Sequence, residues 1–137
     1  MRVVIDTNVL FEGLTKKAGA CRLIVNAWRM GWLKACVSNA LALEYEDVLA
    51  RKLSAARWSS LQPVLAALLN QSERVKIYYT WRPSSPDPGD DLVIDCAMTA
   101  GAPVVTANVR DFRLARKDLG LKVMTPVECV MALIKTI

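Results

Sequence analysis

The chain has 137 residues, 53% of them apolar and 23% charged, a balance that supports a packed core and excludes an intrinsically disordered polymer. Its length suits one domain, so a single domain over residues 1–137 is expected. The 18 Lys and Arg outnumber the 13 Asp and Glu for a net charge of +5, which favours an anionic partner, while the complete absence of histidine excludes Ser-His-Asp and Cys-His activation and every His-bearing zinc site.

In chain order, Val3-Val4-Ile5 is a short β-branched run that stops at Asp6-Thr7-Asn8, as a buried parallel strand stops at a functional loop. Only three apolar residues separate Arg2 from Asp6, so no secretory leader is read here. Leu23, Ile24, Ala27 and Trp28 then follow helical spacing and end near Gly31. A second strand is expected at Ala35-Cys36-Val37, and cap-like Ser38-Asn39 opens a helix carrying Leu41, Leu43, Val48 and Leu49.

Helical spacing resumes at Leu61, Val64, Leu65 and Leu68, before a third strand at Val75-Lys76-Ile77. Arg82 to Gly89 is the one Pro/Gly/Ser-rich stretch, short enough for a loop within a domain. A helix is predicted from Asp90 to Ala100, stopping at Gly101. Strands follow at Pro103-Val104-Val105 and Leu121 to Met124, and a last helix follows Pro126. Strands alternating with helices predict an α/β fold, a three-layer α/β/α sandwich around a parallel sheet of about five strands.

Cys21, Cys36, Cys96 and Cys129 form no CxxC pair and lie in apolar stretches, so they read as small buried hydrophobes in a reducing compartment. The longest uncharged segments carry Gln, Asn, Thr, Gly or Pro and make poor membrane spans. A cytoplasmic protein with no membrane association is expected.

Ligands of parallel sheets bind outside the carboxyl ends of the strands, where Asp6 sits. Its plainer role is to cap the helix that follows. Glu44 lies among Ala40, Leu41, Leu43 and Val48, an unfavourable place for a carboxylate unless it meets a cation, whereas Glu46 and Asp47 read as solvated surface charges. Asp90 and Asp91 open a helix whose positive end stabilises them, again as caps or as ligands. Thr106-Ala107-Asn108 ends the fourth strand at the same sheet edge, with Asp111 just beyond and Asp95 one helical turn past Asp91. A carboxylate set without histidine or thiolate suits Mg²⁺ or Mn²⁺ far better than zinc.

VVIDTNVL at Val3 to Leu10, SNALALEYEDVL at Ser38 to Leu49 and DPGDDLVIDCAMTAGAPVVTANVRDF at Asp87 to Phe112 together resemble the successive motifs of PIN-domain proteins. The resemblance is to small prokaryotic toxin components of toxin–antitoxin systems, the VapC-like ribonucleases. It implies a Mg²⁺- or Mn²⁺-dependent endoribonuclease in which Asp6, Glu44 and Asp90 are catalytic metal-binding acids. It also implies that Thr7, Asn8, Thr106 and Asn108 order the site, with Asp91 and Asp111 as possible additional acids. Asn108 stands where the family pattern expects a fourth acid, so a catalytically impaired RNA- or protein-binding module is the alternative. An RNA substrate, a cognate antitoxin protein and a homodimer are the partners implied.

Around these acids, Lys16, Lys17, Arg51, Lys52, Arg110, Arg113, Arg116 and Lys117 are candidate phosphate contacts, each also readable as a solvated charge. Of the four tryptophans, Trp28 and Trp58 fit helical core patterns, and Trp81 is the candidate for stacking on a base. Haloacid-dehalogenase and receiver phosphotransfer proteins also carry an aspartate after strand one. The first needs a second Asp where this chain has Asn8, and the second needs an early acidic pair that is missing. Neither GxGxxG nor GxxxxGK[ST] is present, so no organic cofactor is expected.

Overall fold

The computed structural model describes residues 1–80 and 87–136. The predicted base-stacking role of Trp81 and the loop from Arg82 to Pro86 therefore lie outside the described residues.

The chain runs β1 (Arg2–Ile5), α1 (Thr7–Thr15), α2 (Ala20–Met30), β2 (Lys34–Ser38), α3 (Asn39–Lys52), α4 (Ala55–Asn70), β3 (Glu73–Val75), α5 (Pro88–Ala100), β4 (Val104–Val105), a 3₁₀ turn (Val109–Phe112), α6 (Arg113–Leu119), β5 (Val123–Met124) and α7 (Pro126–Thr136). All four strand pairings are parallel, and the order across the sheet is β3-β2-β1-β4-β5. Parallel neighbours cannot be joined by tight turns, so the helices serve as crossovers. Side chains of successive strand residues point to opposite faces, yet Val3, Val4 and Ile5 are all fully buried. The sheet is therefore covered on both faces, as the predicted three-layer α/β/α sandwich requires.

Strand order places the functional edge. From β1 the chain moves outward through β2 to β3, then returns past β1 to add β4 and β5. The direction of winding reverses between β1 and β4, and such a reversal leaves a crevice at the carboxyl ends of the two strands. Asp6 and Thr106, the residues following β1 and β4, sit at that crevice.

The third strand lies two residues earlier than Val75-Lys76-Ile77. Its register sets Cys36 opposite Glu73, Val37 opposite Arg74 and Ser38 opposite Val75. Arg2 fixes this placement, since its Nε donates to Glu73 Oε1 at 3.1 Å while its other nitrogens reach Glu73 Oε2 and the Ala100 carbonyl. Helix α5 starts at Pro88 rather than Asp90 because Asp87 is its N-cap, accepting from the Gly89 amide at 2.8 Å, and proline is favoured at the first helical position.

All four cysteines are free and buried, in keeping with the sequence reading. Trp28 is buried in the core, with its ring edge against Tyr45 and its Nε1 donating to Ser72 Oγ at 3.0 Å. Trp58 packs half-buried against the same core, while Trp32 is exposed. Among the described residues no helix is long and apolar enough to cross a membrane.

Candidate metal centre

Asp6 caps α1, the plainer of the two roles read from the sequence, and also lines the crevice. Its Oδ1 accepts from the Thr7 amide at 2.8 Å and its Oδ2 from Thr106 Oγ1 at 2.7 Å. Thr106, itself fully buried, accepts from the Asn108 amide at 3.0 Å. The chain Asn108–Thr106–Asp6 thus ties the end of β4 to the end of β1 and fixes the orientation of the Asp6 carboxylate.

Asp6, Thr7, Asn8, Phe11, Glu44, Val48, Arg51, Lys52, Asp87, Gly89, Asp90, Asn108 and Asp111 line one cavity of about 380 Å³. It collects five carboxylates from four separated points in the sequence: Asp6, Glu44, the start of α5 with Asp87 and Asp90, and Asp111. Among the described residues just two buried side-chain oxygens lack a hydrogen-bond partner, Asn8 Oδ1 and Asp90 Oδ2, and both residues line this cavity. Both atoms are acceptors, and buried acceptors without donors are rare and unfavourable. A cation with its water would satisfy both.

The electrostatics agree. Burial, followed by the charges of Asp6, Asp87, Asp111 and Asp91, pushes the Asp90 carboxyl up to about 7 from its ordinary 3.8. Asp6 is also raised, first by burial and then by Asp111 and Asp87, although the Thr106 and Thr7 hydrogen bonds pull it back. Carboxylates lifted in this way mark a concentration of negative charge that a divalent ion relieves.

Among the described residues no group of three or more Asp, Glu, Cys or His is gathered tightly enough to hold an ion by itself. Mg²⁺ keeps several of its waters and is commonly held by one or two carboxylates. The donor set, made of carboxylate oxygens with no thiolate or imidazole, and the two orphaned oxygens fit a hard divalent cation.

Placement refines the sequence reading residue by residue. Asp6, Glu44 and Asp90 share the cavity with Thr7, Asn8, Asn108 and Asp111, while Thr106 supports Asp6 from behind. Asp91 and Asp95 are buried but lie outside the cavity lining. Glu44 is half-buried rather than enclosed by an apolar face. The inward stripe of α3 is Leu41, Ala42, Tyr45, Val48 and Leu49, and Leu43 is 64% exposed. At 100° per residue, Glu44 falls at the edge of that stripe, where it overlooks the cavity. Glu46 and Asp47 are exposed, as expected.

Sequence reasoning passed over Asp87, Gly89 and Phe11 as site residues. Asp-Pro-Gly, an N-cap followed by an N1 proline, was the available signal for Asp87. A Cβ on Gly89 would stand 3.2 Å from Glu44 Oε1 and 3.3 Å from Asp87 Oδ1, so a bare backbone lets these two carboxylates approach the start of α5. Of the eight candidate cations, Arg51 and Lys52 line the cavity. Lys16 pairs instead with Glu12 at 3.4 Å, and Lys17, Arg110, Arg113, Arg116 and Lys117 are exposed elsewhere.

Comparison with known proteins shows what the chain and its fold are similar to. The family model for the PIN domain matches residues 2–110. Among solved structures, VapBC2 from Rickettsia felis bound to a DNA fragment from its promoter superposes with a TM-score of 0.64 at 13% identity, over 91% of this chain and 98% of that one. FitAB bound to an IR36 DNA fragment gives 0.63 at 17% identity, over 92% and 95% of the two chains. FitAcB from Neisseria gonorrhoeae gives 0.63 at 17%, over 92% and 98%. No curated protein matches in sequence.

Proposed function

The chain belongs to the PIN-domain family, and from that premise we propose that it is a Mg²⁺- or Mn²⁺-dependent endoribonuclease, the toxin component of a prokaryotic toxin–antitoxin pair. The observation that carries this reading is the carboxylate-lined cavity at the β1/β4 crevice, where the only two orphaned buried oxygens among the described residues are found.

In this reading Asp6, Glu44 and Asp90 hold the ion. An ion held by them would supply Lewis acidity toward a phosphodiester and would favour ionisation of an attacking water. The protein's own groups do the rest. Thr106 and the Thr7 amide orient Asp6 and oppose the upward push of burial on its carboxyl. One of the three acids accepts the proton that the water releases. Asn8 and Asn108, at the cavity wall, orient water through their amides. Asp111 lines the same cavity three residues beyond Asn108 and supplies the negative charge that the amide lacks. Hydrolysis by water needs no covalent enzyme intermediate, which suits a chain without histidine.

The partners follow from the same reading. The structural neighbours include VapBC2 bound to a promoter DNA fragment and FitAB bound to an IR36 DNA fragment, which with the sequence resemblance support a cognate antitoxin. The homodimer, the cytoplasmic location and a single nuclease domain over residues 1–137 rest on the sequence reading alone.

Purified protein incubated with a mixed set of labelled RNAs and Mn²⁺ or Mg²⁺ provides the test. Cutting that disappears in EDTA and in Asp6→Asn is expected. Cutting by Asp6→Asn at the unmodified rate would overturn the site. Metal binding without cutting would leave the impaired binding module in its place.

A further inference from the structure

Lys52, the last residue of α3, lines a cavity that contains five carboxylates. Among the described residues it nevertheless forms no ion pair. Its Nζ lies 5.3 Å from the centre of the Phe11 ring, on α1. Phe11 is half-buried against the core and lines the same cavity. An ammonium resting on an aromatic face is held by the ring quadrupole, which occupies none of its three N–H donors. Arg51 lines the cavity beside it, and its partner is Asp47, 3.5 Å away on the exposed side of the helix. Exposed pairs of that kind are weak and exchange readily. The cavity therefore has an acidic part at the sheet edge and, where α1 meets α3, a wall with an aromatic seat and two cations available to an anion.

We propose that Lys52, seated on Phe11 and flanked by Arg51, is a phosphate-binding subsite for single-stranded nucleic acid, holding a backbone phosphate beside the acidic centre. The assignment rests on the nuclease reading for the identity of its ligand. The acids repel a polyanion, so the substrate needs a cation close to them that those acids have not already neutralised. Single-stranded chains are bound by this combination of cation and aromatic surface. Fixing Lys52 on a ring also lowers the conformational entropy lost when phosphate is captured.

The test measures binding of a short fluorescein-labelled single-stranded RNA to the Asp6→Asn protein, which leaves the RNA intact, across a salt series in Mg²⁺. Lys52→Gln is compared with the parent, with Lys135→Gln on α7 as an exposed control outside the cavity. One lost phosphate contact lowers the salt slope by about 0.7, so the two binding curves converge by about fivefold over a tenfold rise in salt. Phe11→Leu keeps an apolar side chain but removes the ring. It is expected to weaken binding and to reduce the further effect of Lys52→Gln. Melting curves verify that each variant is folded.

Parallel curves with equal affinity for Lys52→Gln would overturn the subsite, even if the unmodified protein cuts RNA. Salt-convergent binding in a protein that never cuts would keep the subsite and overturn the nuclease reading. No RNA binding by the parent would overturn both.

Discussion

The two ends of β1 lie four residues apart and handle charge in opposite ways. At the start, Arg2 is exposed and paired, forked onto Glu73 and bonded to the Ala100 carbonyl. Glu73 is lowered from its ordinary value by that fork. At the end, Asp6 is 5% exposed, and beside it Asp90 keeps an oxygen with no donor while its carboxyl rises to about 7. One end closes the sheet with matched charge. The other gathers unmatched acids against the fold, and unrelieved electrostatics of this kind mark a candidate functional site.

Replacing Asp90, whose carboxyl is pushed furthest from its ordinary range by burial and neighbouring acids, should break this contrast most strongly. Asp90→Asn is expected to abolish detectable Mn²⁺-dependent RNA cleavage, a loss on the order of a hundredfold or more by analogy with removal of one preorganised charge from a site. Metal-free stability should move the other way. The folded-state carboxyl lies near 7 against an ordinary 3.8, so protonation favours the fold and ionisation opposes it. In EDTA the melting temperature should therefore fall as pH rises between about 4 and about 7, and Asp90→Asn should flatten that fall. A melting temperature that rises with pH across this window in the unmodified protein would contradict the charge-storing account.

Tyr45 permits a sharper test because it joins the core, through its contact with Trp28, to the Asp6 end of β1. It follows Glu44 on α3, is fully buried, and its hydroxyl donates to the carbonyl of Ile5, the residue before Asp6. Burial also raises its phenol well above the ordinary value, so it remains a donor. Tyr45→Phe should cost about 1–3 kcal/mol through an unsatisfied buried carbonyl, read by urea denaturation. If the hydroxyl also sets Asp6 against Glu44, Mn²⁺ affinity measured calorimetrically on the folded variant should weaken. Unchanged affinity would confine Tyr45 to stability.

The smallest effect is expected at the other end of the strand. Arg2→Gln removes an exposed fork, so it should lower the melting temperature slightly, with a deficit that shrinks in high salt, and leave metal affinity and RNA cleavage unchanged. A large loss of metal binding in Arg2→Gln would mean that the two ends of β1 are coupled and the division is false.

The amino-acid sequence by itself determined the alternation of strands and helices, because burial on both faces demands continuous β-branched runs and helices need the 3.6-residue stripe. It also confined the chemistry to carboxylates, through the absence of histidine, and pointed to Asp6, Glu44 and Asp90. Only the tertiary structure decided the order β3-β2-β1-β4-β5, since strand order depends on how crossovers bury both faces and leaves no local pattern in the chain. That order brought Asp87 and Asp111 to the cavity with Asp6 and left Asp91 and Asp95 outside its lining. Neighbouring residues of one helix face different directions, and a one-dimensional motif cannot say which of two adjacent acids faces the crevice. Lys52 is likewise only one of eight candidate phosphate contacts in the sequence, and became distinctive when the packing of α1 against α3 set Phe11 beneath it.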